Sequence, residues 1–471
     1  MKKPNIRNVL AARYASTPMA LLFGPERRVV LERQLWIATL KAQQSLGLAI
    51  SDEAVRAYEA QVEKVDLESI KARELTLRQD VKARIEEFNA LAGYELIHGG
   101  FTSRDLTDNT EQLQIRDALL LARDHTVAVL GRLARRIAEF SWLDLCGRSH
   151  NVPGQTVTLG KRIANWAEEL LVAFSHLEWV IANYPLRGIK GAMGTQQDMI
   201  DLLGSPAKAL ELEELIRKHL GFARVLESTG QVYPRSLDFM VTSTLVQLAS
   251  ASGNFAKMVR LMAGHDLLHE GFKDGQTAST AMPHKFNSRT CERINGLVNV
   301  LCGFNDMVSR LVGDQWNEGD VSCSVVRRVA LSDSFFAYDG ICESGLHVLD
   351  EMQVFPGMVK RELTFYLPFL GSTRLLMAAV KMGVGRERAH ALIKKHALAA
   401  VSRVREGEPN PLVQLLSDDS EYPLNRNEIE SALSAPDHGA SVEQAERIYV
   451  RIAEVMERYP AATTYVPEPM L

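Results

Sequence analysis

The stretch from Gln276 to Arg293, QTASTAMPHKFNSRTCER, concentrates side chains that could move a proton on an anionic substrate. Gly275 permits a bend before it and Pro283 fixes the backbone within it, which predicts a loop between helices. A solvated connection would also form a loop, but such connections are commonly shorter and carry fewer hydroxyls. We therefore expect a lid over the substrate, whose hydroxyls and donors are Ser279, Thr280, Lys285 and Asn287.

Two other polar loops carry candidate residues. GRSHNVPGQT, at 147–156, contains His150, and a histidine with an ordinary pKa of about 6.5 can act as a general acid or base. A single loop histidine is more often structural or solvated, so this loop alone decides nothing. In HGGFTSRDLTDNT, the hydroxyls of Thr102 and Ser103 could bind an anion, or Ser103 or Asp108 could cap a helix.

Helical periodicity dominates the segments around these loops, and strand-like runs are scarce, so the sequence predicts an all-α protein. Apolar residues recur at spacings of three and four in three long segments, which is typical of helices packed nearly parallel in a bundle. Each seam could lie within one chain or between subunits. The seams are Ile163, Trp166, Leu170, Ala173, Leu177 and Val180; Leu245, Leu248, Ser252, Phe255, Val259 and Met262; and Leu119, Ala122, Val129, Leu133, Ile137 and Phe140.

Two clusters of helix breakers divide the chain into three expected domains. HGGFTSRD, at 98–105, separates an N-terminal helical domain of residues 1–103 from the bundle. VFPGMVKREL, at 354–363, ends a central helical-bundle domain of residues 104–355, which carries the loop at 275–293. Residues 356–471 form the expected C-terminal helical domain.

Composition and charge exclude several classes of protein. With 471 residues, of which 46% are hydrophobic, the chain can build a large core. Its 54 basic and 58 acidic residues are interspersed, so nothing indicates binding to nucleic acid or an anionic membrane. No apolar run approaches a membrane span, and we expect a cytoplasmic protein. The five cysteines never occur as CxxC, and one isolated Glu-x-x-His does not make a metal site, so buried thiols and no metal are expected.

Seven motifs follow one another along the chain: ARYAS, HGGFTS, GRSHNVPGQ, LRGIKGAMGTQ, STGQVYPR, ASTAMPHKFNS and QWNEGDVSCSVVRR. Their order resembles that of the fumarase/aspartase superfamily of lyases and, within it, the adenylosuccinate lyase family of the animal type. The superfamily signature is Gly-Ser-Ser-x-Met-Pro-x-Lys-x-Asn-Pro, which ASTAMPHKFNS matches at most positions. Seven motifs in one order are far more specific than any one of them.

This resemblance implies an all-α subunit of three domains, whose central bundle of long helices assembles a homotetramer. Each active site would be built from loops of three subunits. The implied reaction is the β-elimination of fumarate from adenylosuccinate, giving AMP, and from the succinyl-carboxamide ribotide of purine synthesis. The implied partner is therefore a small anionic substrate, and no metal or organic cofactor is needed.

The resemblance also implies roles for individual residues. Ser279 matches the general base, His150 the general acid, and Glu292 the residue that orients the histidine. Lys285 would stabilise the aci-carboxylate that forms when a proton leaves the carbon next to a carboxylate. The residues implied to bind substrate are Arg13, Tyr14, Arg78, Asp80, His98, Thr102, Ser103, Gln231, Thr280, Asn287, Arg293, Ser324 and Arg328.

Several positions depart from the family pattern, among them Gln79, Gly319, Thr280 and Ser288. Gln79 replaces a histidine and Gly319 replaces an arginine that meets the nucleotide, while Thr280 and Ser288 replace a serine and a proline of the signature loop. Glutamine can hydrogen-bond but cannot carry a positive charge. Two alternatives to the purine-pathway reaction therefore stay open: a sibling lyase that releases fumarate from a different N-succinyl compound, and a non-catalytic helical scaffold.

Overall fold

The computed structural model describes residues 7–272, 282–434 and 437–469. These residues are mostly helical, which confirms the predicted all-α fold, and they include four short strands. The helices are α1 (Val9–Arg13), α2 (Thr17–Leu22), α3 (Pro25–Ser45), α4 (Asp52–Glu59), α5 (Leu67–Leu77), α6 (Asp80–Ala92), α7 (Ser103–Glu139), α8 (Leu159–Asn183), α9 (Gln197–Leu203), α10 (Pro206–Leu220), α11 (Ser236–Ala263), α12 (Arg289–Ser309), α13 (Cys323–Glu351), α14 (Pro356–Leu370), α15 (Ser372–Lys381), α16 (Arg386–Arg405), α17 (Leu412–Ser417), α18 (Arg426–Leu433), α19 (Ser441–Arg458) and α20 (Pro460–Thr463). The strands are β1 (Asp144–Ser149), β2 (Val152–Thr158), β3 (Leu268–His269) and β4 (Gln353–Val354).

Five long helices, α7, α8, α11, α12 and α13, pack side by side at the centre of the fold. The predicted seams are confirmed as buried faces: every seam residue of α8 is buried, and only Ser252 of α11 and Phe140 beside α7 are half-buried. Gly253 lets α12 approach α11 closely, because a Cβ there would lie 3.3 Å from a methyl carbon of Val298.

The C-terminal part of the chain contributes to two cores. Helices α15 to α18 surround a small apolar core that includes Leu375, Ile393, Leu416 and Ile429. Helix α19 returns to pack on α7 and α8, so it belongs to the main core. The boundaries of the three expected domains stay a prediction.

Among the described residues, one stretch, Pro356–Lys381, has the length and composition to cross a membrane. By itself this is weak evidence for a span. The stretch is divided at Gly371 into α14, which packs on β1 and β2, and α15, which packs on α16 and α18.

The strands form two small antiparallel sheets. In one, β1 and β2 make a hairpin from Asp144 to Thr158, so the loop predicted at 147–156 is the turn of a hairpin and part of its two strands. In the other, Leu268 of β3 pairs with Val354 of β4. Both sheets lie next to segments predicted to carry catalytic residues, since β3 precedes the signature loop.

All five cysteines are free thiols. Four are buried, as expected, and Cys302 is exposed. In the described ranges, no group of three or more His, Cys, Asp or Glu side chains is arranged to hold a metal ion.

Candidate active site

A cavity of about 390 Å³ opens where three segments meet: the junction of α5 and α6, the start of α7 and the start of α13. Four residues predicted to bind substrate line it, namely Asp80, Ser103, Ser324 and Arg328. Gln79, one of the departures from the family pattern, lines it as well. The fold thus gathers residues that are far apart in the sequence.

The junction of α5 and α6 turns sharply at Arg78, which ends α5 with a φ of 55°, in the left-handed region that is uncommon for residues other than glycine. Gln79 then caps α6, because its side-chain oxygen accepts a hydrogen bond from the backbone N–H of Lys82. The amide NH₂ of Gln79 is the end that could donate to a ligand. Burial opposes ionisation of Asp80, but an ion pair with Arg84 at 3.1 Å outweighs it and lowers the pKa of Asp80.

Helix α7 starts at the cavity with Thr102 as its N-cap, whereas the sequence had suggested Ser103 or Asp108 for that position. Asp105 accepts a hydrogen bond from the backbone N–H of Thr102 at 2.8 Å, and it pairs with buried Arg187 at 2.5 Å. These contacts fix the start of α7 against the loop that follows α8. The hydroxyls of Thr102 and Ser103 therefore lie at the positive end of a 37-residue helix, which favours an anion.

Two adjacent arginines at the start of α13 have different surroundings. Arg328 is exposed at the cavity. Arg327 is buried and pairs with Asp238 at 2.8 Å and with Glu111 at 2.6 Å. Burial opposes the charge of Arg327, but the two carboxylates outweigh it and raise the pKa of the guanidinium. Arg327 therefore supports the cavity wall, and Arg328 is the one that a ligand can reach.

His98 lies beside α3 and is not one of the cavity-lining residues. The indole N–H of Trp36 donates to His98 Nδ1 at 3.1 Å, which places the proton of the neutral ring on Nε2. Burial, together with the nearby charge of Lys82, lowers the pKa of His98 to about 4. His98 is therefore a neutral hydrogen-bond donor at pH 7.

A second basic group forms where the end of α1 meets the start of α12. The guanidinium carbon of Arg293 lies 5.6 Å from the centre of the Tyr14 ring. Burial, with the charges of Arg13 and Arg289 nearby, lowers the pKa of Arg293. Tyr14 approaches α13 closely at Gly340, where a Cβ would lie 2.8 Å from the Cβ of Tyr14. Three predicted substrate-binding residues, Arg13, Tyr14 and Arg293, are thus neighbours.

The segment after Tyr14 is held by α13 and by the C-terminal segment of the chain. The backbone N–H of Ser16 donates to Asp339 at 2.6 Å, and the other oxygen of Asp339 lies 2.6 Å from Nδ1 of buried His125. The backbone N–H of Thr17 donates to the carboxylate of Glu468 at 3.1 Å. These contacts fix the position of Arg13 and Tyr14 relative to α13.

The signature loop is described only in part. Ser279 and Thr280 lie outside the described residues. Lys285 is exposed and Asn287 is half-buried, just before α12 starts. Phe286 packs edge-on against Phe272 with ring centres 4.6 Å apart, so an aromatic contact joins the two described flanks of the loop.

His150 is exposed at the tip of the β1–β2 hairpin, with a φ of 52°. Glu292 is in the first turn of α12, where its carboxylate lies 3.9 Å from Arg260. Within the described part of one chain, no hydrogen bond or ion pair joins Glu292 to His150. The orienting role of Glu292 therefore stays a prediction.

Gln231 and Gly319 lie against each other. In the sequence they have no evident connection: Gln231 is a predicted substrate-binding residue, and Gly319 is a departure from the family pattern. The backbone N–H of Gln231 donates to the carbonyl oxygen of Glu318 at 2.5 Å. A Cβ at Gly319 would lie 2.7 Å from the Cβ of Gln231, and one at Gly230 would overlap the Glu318 carbonyl. This contact leaves no room for an arginine at position 319.

Several residues that shape the site were missed by sequence reasoning. Arg28 in the first turn of α3, Arg104 in the first turn of α7 and Glu111 about two turns further along α7 also line the cavity. Spacing offered one signal, since opposite charges four residues apart on a helix can pair. Arg104 pairs in this way with Asp108 at 3.2 Å, and Arg28 pairs with Glu32 at 3.4 Å.

Fold and site together define a class of protein. The lyase family model matches residues 26–303, so the chain belongs to the lyase family. A solved structure of the 3-carboxy-cis,cis-muconate lactonizing enzyme from Pseudomonas putida has the same fold, with a TM-score of 0.80 over 95% of this chain and 99% of that one, at 20% identity.

The family can be stated more closely. The family model for the adenylosuccinate lyase C-terminus matches residues 368–451. The adenylosuccinate lyase of Schistosoma mansoni is 33% identical over 421 residues, which cover 88% of this chain and 87% of the relative. That of Saccharomyces cerevisiae is 33% identical over 440 residues, which cover 91% and 90%. The chain is a member of the adenylosuccinate lyase family.

Proposed function

We propose that the protein releases fumarate from adenylosuccinate, leaving AMP, and from the succinyl-carboxamide ribotide of purine synthesis. The observation that carries this proposal is the cavity, in which Ser103 of α7 and Ser324 and Arg328 of α13 surround a space of about 390 Å³. Hydroxyls and a guanidinium suit the phosphate of a nucleotide. Membership of the adenylosuccinate lyase family supports the same reaction.

In the proposed reaction, Ser279 removes a proton from the succinyl carbon next to a carboxylate. The electron pair of that C–H bond forms the aci-carboxylate and then the C=C bond of fumarate, as the C–N bond breaks. His150, oriented by Glu292, gives a proton to the departing nitrogen, so the enzyme gains one proton and delivers one. Lys285 and Asn287 would stabilise the doubly charged intermediate.

The remaining predicted residues would bind the substrate in two groups. Residues of the first group line or flank the cavity and would meet the nucleotide: Arg78, Asp80, Thr102, Ser103, Ser324 and Arg328. The second group contains Arg13, Tyr14 and Arg293, whose charges suit a second anionic group. His98, Gln231 and Thr280 would supply hydrogen bonds between them.

We also propose a cytoplasmic homotetramer, in which loops of different subunits complete each site. Two observations support this. No hydrogen bond or ion pair joins His150 to Glu292 within the described part of one chain. Large apolar side chains on bundle helices are exposed in the isolated subunit, among them Val172, Trp179 and Val325. Sedimentation of the purified protein tests the assembly.

The direct test is an assay of purified protein with each of the two purine-pathway substrates. We expect release of fumarate with AMP or the carboxamide ribotide, and a fall of at least about 100-fold for Ser279→Ala or His150→Ala. His390→Ala is the control, because His390 is exposed on α16. We expect full activity after dialysis against EDTA, since no step needs a metal. Near-normal rates in either catalytic variant would remove that residue from its role.

A second candidate is a sibling lyase that acts on a different N-succinyl amine. It is favoured by Gly319, where the contact with Gln231 leaves no room for the family's arginine, and by Gln79, whose oxygen is occupied in capping α6. It predicts fumarate release from other N-succinyl amines with little turnover of adenylosuccinate. If no succinylated amine is turned over by the folded tetramer, the scaffold hypothesis replaces both.

A further inference from the structure

The hairpin that carries His150 is closed by the side chain of Arg148. One nitrogen of its guanidinium, Nη1, donates to the carbonyl oxygen of Asn151 at 3.0 Å. The other, Nη2, pairs with the carboxylate of Glu362 on α14. Arg148 is 14% exposed and Glu362 is 12% exposed, so water competes little for either charge. A single planar guanidinium therefore joins the turn of the hairpin to α14.

The turn needs such support because its backbone is unfavourable for its sequence. His150 has a φ of 52° and Asn151 a φ of 61°, both in the left-handed region that a two-residue hairpin turn of type I′ requires. Asn is tolerated there, but His–Asn lacks the glycine that usually relieves such a turn. Backbones of this kind persist where the surrounding structure holds them. The register of the two strands also shifts at Gly147/Arg148, which re-aims the residues that follow.

Helix α14 provides a fixed platform for this contact. Its residues Leu363, Tyr366 and Leu370 form an apolar cluster with Cys146 of β1. Glu362 also lies 3.9 Å from Nδ1 of His265, which follows α11 and precedes the loop at 275–293 by ten residues. The same carboxylate thus faces the hairpin of the proposed acid and the segment that leads to the proposed base.

We infer that Arg148 and Glu362 are positioning residues, which hold the His150 turn in the orientation that proton transfer requires. This inference rests on the proposed role of His150. Neither residue needs to touch substrate. Their contribution is to restrict the direction of the imidazole, and a misplacement of about 1 Å in such a group lowers turnover by about 100-fold.

The test compares Arg148→Met, Arg148→Lys, Glu362→Gln and the double variant Arg148→Met/Glu362→Gln in the full-length protein. We expect kcat to fall about 10- to 100-fold in Arg148→Met and Glu362→Gln, while KM changes less than about threefold. Arg148→Lys should recover part of the loss, and the double variant should be no worse than the poorer single one. Arg451→Met is the matched control, since Arg451 also joins the C-terminal part of the chain to a bundle helix, through Glu168.

Hydrogen–deuterium exchange of the peptide 147–154 gives a readout that does not depend on activity. We expect faster exchange there in Arg148→Met and Glu362→Gln, and wild-type exchange in Arg451→Met. A wild-type kcat in both single variants would overturn the inference. A lower kcat in Arg148→Met alone, with a normal kcat in Glu362→Gln, would also overturn it, because Arg148 would then act on the ligand directly. If the wild-type protein releases no fumarate, the proposed function fails. Unchanged exchange of the peptide 147–154 in the variants would separately refute the positioning role of Arg148 and Glu362.

Discussion

Arg327 and Arg328 offer the sharpest test of the site, because neighbours in the sequence have opposite surroundings. Replacing Arg327 with Met would remove the cation nearest to Asp238, whose side chain is fully buried, and to Glu111. Only the more distant Arg235, at 4.0 Å, would still pair with Asp238 among the described residues. Removing one partner of a buried ion pair costs about 3–5 kcal/mol. This is a large part of the 5–15 kcal/mol by which a typical domain is stable. Arg328 is exposed, so Arg328→Met should change the free energy of unfolding by less than about 0.5 kcal/mol.

Binding should show the reverse order. A hydrogen bond to a charged group contributes about 1.5–3 kcal/mol, so Arg328→Met should lower kcat/KM by about 10- to 100-fold. The assays are urea unfolding followed by fluorescence, and steady-state release of fumarate. If Arg327→Met proves too unstable to purify, Glu111→Gln tests the same contact, because Glu111 is partly exposed. A stable Arg327→Met protein, or an Arg328→Met protein with lost stability and normal kinetics, would refute the reasoning.

Three further predictions follow from single contacts. Gly319→Arg should lower kcat/KM for every substrate rather than improve binding of the nucleotide, because the Cβ of the arginine would lie 2.7 Å from that of Gln231. Gly385→Arg, at an exposed glycine with open space around it and a φ of −57°, controls for the added charge. His98 has a pKa of about 4 in the folded protein and about 6.5 when unfolded, so its contribution to stability is present above pH 6.5 and is lost as pH falls toward 4. The urea concentration at the midpoint of unfolding should therefore decrease less between pH 7.5 and pH 5 in His98→Gln than in the wild type. Tyr465→Phe removes the hydroxyl that donates to Glu343 at 2.7 Å, and it should lower the free energy of unfolding in urea by about 1–3 kcal/mol. Tyr449→Phe, on an exposed face of α19, should leave the free energy of unfolding unchanged.

The bundle was predictable because apolar residues recur at helical spacing along the long segments of the chain. Ile163 and Val180 lie five steps apart in one seam, and the same face of α8 is buried throughout. The hairpin was not predictable, because β1 contains no β-branched residue and the Pro153–Gly154 pair within β2 is typical of a loop. Its turn also lacks the Asn–Gly or Asp–Gly sequence that marks most two-residue hairpins.

The cavity was predictable only in its parts. The resemblance named Arg328 but not Arg327, although Arg327 follows Cys323 by four positions and precedes Leu331 by four, on the buried face of α13. The link between Gly319 and Gln231 could not be read from the sequence, because it depends on two loops whose contact is set by the packing of α11 and α13. The partnership of His150 with Glu292 stays a prediction, since no hydrogen bond or ion pair joins them within the described part of one chain.

The close contact of the Gly230–Gln231 and Glu318–Gly319 backbones also restricts how this protein can diverge from its relatives. A side chain at position 319 becomes tolerable only after the loop at 228–231 has moved away, and that movement breaks the hydrogen bond from Gln231 to Glu318. The order of substitutions therefore matters: the permissive change has to come first and brings no gain by itself. Laboratory evolution that mutates one position at a time should leave Gly319 unchanged, whereas libraries that vary both loops together can reach arginine at this position.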